Sequence, residues 1–363
     1  MSRPDATDFK EIFLRDTPMF DTRAPLEYKK GSFPFTASLP LMTDAERAKV
    51  GTCYKQQGQD KAIELGHQLV SGKVKDARVQ QWLDFARQHP DGYLFCWRGG
   101  LRSQIVQQWM KDAGVDYPRI KGGYKAMRRF LIDTMDRVVR DTSLRILAGR
   151  TGCAKTDLLN ELPYSIDLEG LAHHRGSTFG KRPGGQPSQI DFENKLAVAF
   201  LRADHAHPGR TILLEDESLL IGRCAIPHDL REKMGISPII LVDSTLEDRV
   251  EHSFRNYILH KLEEWQQAEG DEAGFTAFAD DLTKSLQKIH RRLGGVRYQQ
   301  LNDLLQQALA KHQRGDNSLH REWIRALLEE YYDPMYDFQL TQKKGPVEFR
   351  GNATEIKDYL SNH

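Results

Sequence analysis

Charge of one sign is what this sequence has least of. Its 363 residues carry 52 Lys and Arg against 51 Asp and Glu, a formal charge of +1. That balance excludes a histone-like polycation and an acidic solvating chain, and it leaves local patches open. Cysteine is scarce as well. Cys53, Cys96, Cys153 and Cys224 stand far apart with no CxxC pair, so neither a disulfide scaffold nor a zinc framework is expected. Free thiols suit a reducing compartment. Long apolar runs are missing: stretches such as residues 238–242 are a handful of residues long, against the ~20 a membrane helix needs. The opening MSRPDATDFKEIFLRD has no apolar leader core. A cytoplasmic protein without a membrane partner is the expectation. Repeats and low-complexity blocks are absent too.

What is present is enough apolar material, 39% of residues, for two domains of roughly 100 to 200 residues each. Residues 18–21 and 92–96 read as short strands bounded by turn residues. Between and after them, apolar residues recur at helical spacing: Ala62, Ile63, Leu65 and Leu69, then Trp82, Leu83, Phe85 and Ala86, then Ile105, Val106, Trp109 and Met110. The alternation predicts an α/β fold with a mostly parallel sheet over residues 1–138. A second α/β series is expected over 139–363, with strands at 144–148, 211–214 and 237–242, an almost wholly helical region at about 246–330, and a mixed tail.

The first motif is CWRGGLRS, residues 96–103. A cysteine at the end of a parallel strand, followed by glycines and a helix, faces a ring of backbone N–H groups and the positive end of that helix. Gly99 and Gly100 permit the tight turn. Arg98 and Arg102 add fixed positive charge, and Ser103 adds a hydroxyl. These groups favour the thiolate of Cys96, the nucleophilic form; the plain alternative is a core cysteine ending a strand. Cys53 and Cys224 have no such surroundings and are expected to be packing residues.

The second motif is GRTGCAKT, residues 149–156, between a strand and a helix. It follows the Walker A pattern with Ala154 in place of the last glycine. Gly149, Arg150, Thr151, Gly152, Cys153 and Ala154 supply the cradle, Lys155 neutralises phosphate charge, and Thr156 is a Mg²⁺ ligand candidate. Because alanine resists positive φ, an altered cradle is expected. The apolar strand TILLEDES has the form of a Walker B strand, with Asp216 and Glu217 as its candidate carboxylates and Mg²⁺ placed at Thr156 and Asp216. Between them DLEGLAHHRGSTFG offers Glu169, His173, His174 and Arg175 as substrate-pocket candidates. Two adjacent histidines make a poor zinc site, and no certain metal is expected. Basic and aromatic clusters at Arg128–Arg129, 290–292, Arg297–Tyr298, 320–325 and Tyr331–Tyr332 are compatible with RNA, although each also reads as a solvated helix face.

The CWRGGLRS loop resembles that of rhodanese-type sulfurtransferases. So does the segment holding Asp21, Arg23, Glu27 and Gly31, which matches the D-x-R, acid, glycine pattern at the opening of that family. The likeness runs over roughly residues 10–135. The spacing Cys96-x5-Arg102-Ser103 also fits the C-x5-R-[ST] phosphatase signature, but Phe95 stands where tyrosine-specific phosphatases carry His, and sulfurtransferase loops are usually one residue shorter.

In order, CWRGGLRS, GRTGCAKT, LEGLAHHRGS and LLEDES resemble the tRNA 2-selenouridine synthase family over essentially the whole chain. The resemblance implies a transferase that replaces the sulfur of wobble 2-thiouridine in the tRNA anticodon loop with selenium. Selenophosphate is the implied donor, through an S-geranyl intermediate made from geranyl diphosphate. It implies a rhodanese-like nest with Cys96 handling the chalcogen and Arg98 and Arg102 as anion partners, and a P-loop holding the diphosphate. The implied partners are tRNA and a selenophosphate-supplying enzyme, with no tightly bound cofactor and Mg²⁺ as an optional ion. Two other classes stay open: a nucleotide-dependent kinase or ATPase with a rhodanese-like sulfurtransferase module, and a Cys-dependent phosphatase.

Overall fold

In a computed structural model, residues 3–362 are described; Met1, Ser2 and His363, the ends of the two expected domains, lie outside the described residues. The chain forms two compact units. The first is Met1–Val138 with Ser188–Arg202, and the second is Val139–Pro187 with Ala203–His363.

The first unit is built on a parallel sheet in the order Thr36–Ser38, Met19–Asp21, Tyr93–Phe95, with Met19 opposite both Thr36 and Tyr93. Its central strand is buried on both faces, which explains the run of large apolar residues there. Helix Asp44–Gln57 starts at a reciprocal cap in which Thr43 Oγ1 accepts from Glu46 N and Glu46 accepts from Thr43 N. Phe20, Trp82, Leu94, Val106 and Met110 pack as its core. Residues 188–202, distant in sequence, also belong here. The fully buried Asn194 donates to Ser32 O at 2.5 Å and accepts from Arg128 Nη1 at 2.7 Å.

The second unit carries a five-stranded parallel sheet in the order Val347–Gly351, Ile239–Val242, Leu144–Ala148, Ile212–Glu215, Ser165–Ile166. The strand that precedes the glycine loop is therefore central, and the chain leaves it to opposite sides. In doubly wound sheets such a switch point opens a crevice at the carboxyl ends of the strands. The tail contributes the edge strand Val347–Gly351, which sequence reading left as mixed structure. The helical region extends past 330 to Thr341 and has its own core around Phe278, Leu282, Leu305 and Trp323. Its helices are interrupted by two π turns, Arg255–Leu259 and Leu328–Tyr332.

Candidate active site

Cys96 follows the strand Tyr93–Phe95 directly and is 3% exposed. Its thiol donates to Ser103 Oγ at 3.3 Å, and that hydroxyl donates to Gly100 O at 2.9 Å. Gly99 takes φ +66°, and the loop enters helix Leu101–Asp112 through Gly100. Among the described residues, the N–H groups of residues 97–100 have no protein acceptor, so the loop presents a row of free donors. A second glycine pair that sequence reading missed, Gly122–Gly123, buttresses it. A Cβ on Gly123, itself at φ +57°, would collide with the Cys96 carbonyl oxygen, while Tyr124 N donates to that oxygen at 2.9 Å. The signal was the GG doublet opening a helix.

The two arginines of this loop fare differently. Arg102 is held by Glu27, with Nη1 to Oε2 at 2.7 Å and Nη2 to Oε1 at 3.3 Å. Burial works to raise the Glu27 pKa, but hydrogen bonding to Arg102 and its charge outweigh it and hold the carboxyl below its ordinary range. Arg98 is exposed and has no polar partner among the described residues. Behind the loop, Arg23 and Asp21 form a buried pair at 2.6 Å, and Arg23 also donates to Gly31 O at 2.8 Å. Asp21, Arg23 and Gly31 thus brace one another, while Glu27 holds the cysteine loop through Arg102. Removing one member of such a buried pair costs about 3–5 kcal/mol.

In the second unit, Leu144–Ala148 runs into the glycine loop and then helix Lys155–Asn160. Gly149 and Gly152 both have positive φ. Ala154 sits in the left-handed region at φ +59°, ψ +33°, so alanine adopts the glycine geometry rather than changing the cradle. The strain is about 1 kcal/mol. The N–H groups of Arg150, Thr151, Gly152 and Ala154 have no protein acceptor among the described residues. Side chains fix the loop from outside: Arg150 pairs with Asp337 at 2.7 Å, and the buried Arg249 donates to Thr151 O at 2.9 Å while pairing with Asp333. The Arg150 side chain is thereby directed to Asp337. Lys155 Nζ donates to Gly149 O at 2.8 Å and lies 3.9 Å from the buried Cys153 Sγ. Burial opposes its charge, but Cys153, Tyr336, Glu169 and Glu217 outweigh burial and hold its pKa above the usual range.

The Walker B reading requires a correction. Glu215, the last residue of Ile212–Glu215 and 1% exposed, is the carboxylate that reaches Thr156 Oγ1, at 3.3 Å. Asp216 is instead paired with Lys343. The strand ends at Glu215, which faces Thr156, whereas Asp216, just past the strand, reaches the cavity wall already committed to Lys343. Glu169 completes the cluster: Oε2 accepts from Thr156 at 3.3 Å, and its N–H donates to Glu215 Oε1 at 2.7 Å. Glu169 and Glu217 hydrogen-bond each other. Burial first, and then mutual repulsion, push the pKa values of Glu215 and Glu217 well above the carboxylate range, and burial raises Glu169 as well. Among the described residues no three His, Cys, Asp or Glu form a ready metal cage. One hydroxyl and one or two crowded carboxylates beside a phosphate loop nonetheless suit Mg²⁺, which keeps most of its waters.

Loop, carboxyls and helical region enclose a cavity of about 620 Å³. Its lining includes Lys155, Thr156, Glu169, Glu217, Arg175 and the two tyrosines, Tyr257 and Tyr332, carried by the π turns. Single-turn π segments recur at functional sites because they shift a side chain by one helical position. Of the pocket candidates, Glu169, Arg175 and Glu217 line the cavity together with Asp216, whereas His173 and His174 do not. His173 faces Gly185 O at 2.8 Å. His174 is buried, and burial, followed by Lys261 and Lys288, lowers its pKa to about 4.

The basic and aromatic clusters proposed for RNA are mostly committed elsewhere. Arg128 pairs with Glu193, Arg297 with Glu330, Arg321 with Glu251 and Arg325 with Glu247. His320, Trp323, Tyr331 and Tyr332 are buried. Cys53 and Cys224 are buried, as packing residues should be. No helix among the described residues is long and apolar enough to cross a membrane.

Residues 142–363 match the family model of the tRNA 2-selenouridine synthase AAA domain. Over 358 residues the chain is 57% identical to a tRNA 2-selenouridine synthase of Hahella chejuensis (strain KCTC 2396), covering 99% of this chain and 94% of that protein. It is 53% identical over 357 residues to the protein of that name from Pseudomonas syringae pv. syringae (strain B728a), covering 98% and 97%. With its counterpart in Marinobacter nauticus (strain ATCC 700491 / DSM 11845 / VT8) it shares 52% over 360 residues, covering 99% and 98%.

Proposed function

This chain belongs to the tRNA 2-selenouridine synthase family, and from that premise we propose that it is a transferase converting wobble 2-thiouridine of tRNA to 2-selenouridine in two stages. In the first, the thiocarbonyl sulfur attacks C1 of geranyl diphosphate. The C1–O bond breaks, diphosphate leaves with the electron pair, and N3 gives up its proton. The free N–H groups of residues 150–152 and 154 and the Lys155 ammonium stabilise the charge that develops on the leaving group. A Mg²⁺ ion held by Thr156 with Glu215 or Glu169 would supply further neutralisation. The Glu169–Glu217 pair, with its raised pKa values, is placed to take up the proton.

In the second stage the selenium of selenophosphate bonds to C2 as the C2–S bond breaks and geranyl thiolate leaves; water then cleaves the Se–P bond to release phosphate. The loop after Cys96, with its free N–H groups and Arg98, binds the anionic donor, and Cys96 handles the chalcogen there. The rhodanese-like character of this unit is part of the same reading, as are the cytoplasmic location and a selenophosphate-supplying partner enzyme.

The observation that carries the proposal is the single cavity that combines an open phosphate cradle with a proton-holding carboxyl cluster. Mass spectrometry of tRNA nucleosides from cells lacking and overproducing the protein tests it. Loss and gain of 2-selenouridine and geranylthiouridine are expected. Unchanged nucleosides, with nucleotide turnover indifferent to geranyl diphosphate, would replace it with the kinase or ATPase reading.

A further inference from the structure

The cavity of the second unit contains a positive group that the P-loop chemistry does not use. Arg175 is 8% exposed, lines the cavity, and leaves its Nη1 without a hydrogen-bond partner. Its Nη2 donates to Glu264 Oε1 at 2.7 Å, and the same oxygen lies 3.5 Å from Arg182 Nη1. Two guanidinium groups therefore share one carboxylate, leaving about one surplus positive charge. Glu264 Oε2 and Arg182 Nε are also unpartnered, as Arg175 Nη1 is. A buried, unpaired charged donor is costly, and its retention at a cavity wall indicates an anion that arrives with the substrate.

We infer that Arg175 and Arg182 form a second phosphate subsite, which takes a backbone phosphodiester of the RNA next to the uridine being modified. The charge balance favours this source over the diphosphate. A phosphodiester carries one negative charge and matches the one surplus positive charge. A diphosphate carries about three and already has four free N–H groups and Lys155 on the P-loop. Any nucleotide entering the cavity from within a chain brings such a phosphodiester with it, and Arg is suited to grip it with two parallel donors.

The inference rests on the reading that this cavity receives the uridine, but its test is equilibrium binding without geranyl diphosphate or turnover, so the two fail separately. Full-length Arg175→Gln and Arg182→Gln would be titrated with tRNA over a range of salt, and separately with pyrophosphate. Arg182 is partly exposed, with 31% of its side chain accessible, so its variant keeps the test valid if Arg175→Gln unfolds. The expected result is about a tenfold weaker tRNA affinity and a log K against log salt slope reduced by about one, with pyrophosphate affinity unchanged. An unchanged slope in the folded variants overturns the subsite. Weakened pyrophosphate binding with an unchanged slope assigns the anion to the diphosphate and overturns the RNA assignment.

Discussion

The two glycine loops of this chain share a plan and differ in their surroundings. Each follows a parallel strand, opens a helix, leaves a row of backbone N–H groups free and contains a buried cysteine. Around Cys96 most neighbouring charges are already paired, Glu27 with Arg102 and Asp21 with Arg23, while Arg98 is left open. Around Lys155 they are not: Glu169 and Glu215 crowd Thr156, Glu217 stands beside Glu169, and all three keep raised pKa values. A neutralised frame suits a loop whose own thiol does the chemistry, because nothing nearby competes for protons. An over-acidic frame suits a loop that stabilises a departing anion with the help of a cation and must dispose of a proton. Under the proposed function the same backbone device serves a chalcogen-handling cysteine in one unit and a departing diphosphate in the other, according to what lines it.

The largest expected effect separates the loops outright. Cys96→Ala should lower selenation on the order of 10³-fold or more while geranyl transfer to thiouridine tRNA continues at its normal rate. Full selenation in the variant would remove Cys96 from the chemistry. The converse, Lys155→Ala, should cost geranyl transfer about 10²–10³-fold and spare selenation of tRNA supplied already geranylated. Equal damage to both reactions would mean that the loops do not divide the work.

A smaller effect concerns how the frame is held. Glu27→Gln weakens the clamp on Arg102 and should slow selenation about tenfold through misplacement, with geranyl transfer unaffected.

The pH dependence of stability has a definite sign. Glu215 and Glu217 are raised above the ordinary carboxylate range, so their contribution is full below that range and is lost as pH rises through the raised values. Without divalent ions the melting temperature should fall by about 2–4 °C as pH rises above the ordinary carboxylate range. Mg²⁺ should restore it, and Glu217→Gln should flatten the profile; a flat wild-type profile would contradict the crowded cluster. Smallest of all, Ala154→Gly relieves the left-handed strain against a loss of chain rigidity, for a net gain of about 0.5 kcal/mol in urea unfolding.

Local patterns carried the motifs, and the reason is physical. Strand, loop and helix at 92–112 and at 144–160 are set by neighbours in sequence, so apolar runs, glycines and Lys155-Thr156 were readable. What long-range packing decides was not. Glu27 lies 75 residues from the Arg102 it holds, and Glu264 lies 89 from Arg175. The choice of Glu215 over Asp216 turns on where the strand ends, a matter of one residue. The helical arginines looked like an RNA surface because their partners, such as Glu247 and Glu251 for Arg325 and Arg321, come from another helix. Residues 188–202 join the first unit through Asn194, a contact no local pattern announces.

The π turns at Arg255–Leu259 and Leu328–Tyr332 set local stability against site geometry. Each amounts to one residue more than a regular helix needs. Deleting that residue would restore uniform α-helical bonding; a π turn spends one extra residue on the same advance, so the helix beyond would keep its direction while the side chains of the turn itself lost their displaced position. Tyr257 and Tyr332 sit on those turns, so the repair that strengthens the helix would take them off the cavity wall. These helices work like a vernier: a fractional misfit, carried at some cost in backbone regularity, sets the cavity wall to a position that a regular helix would step past.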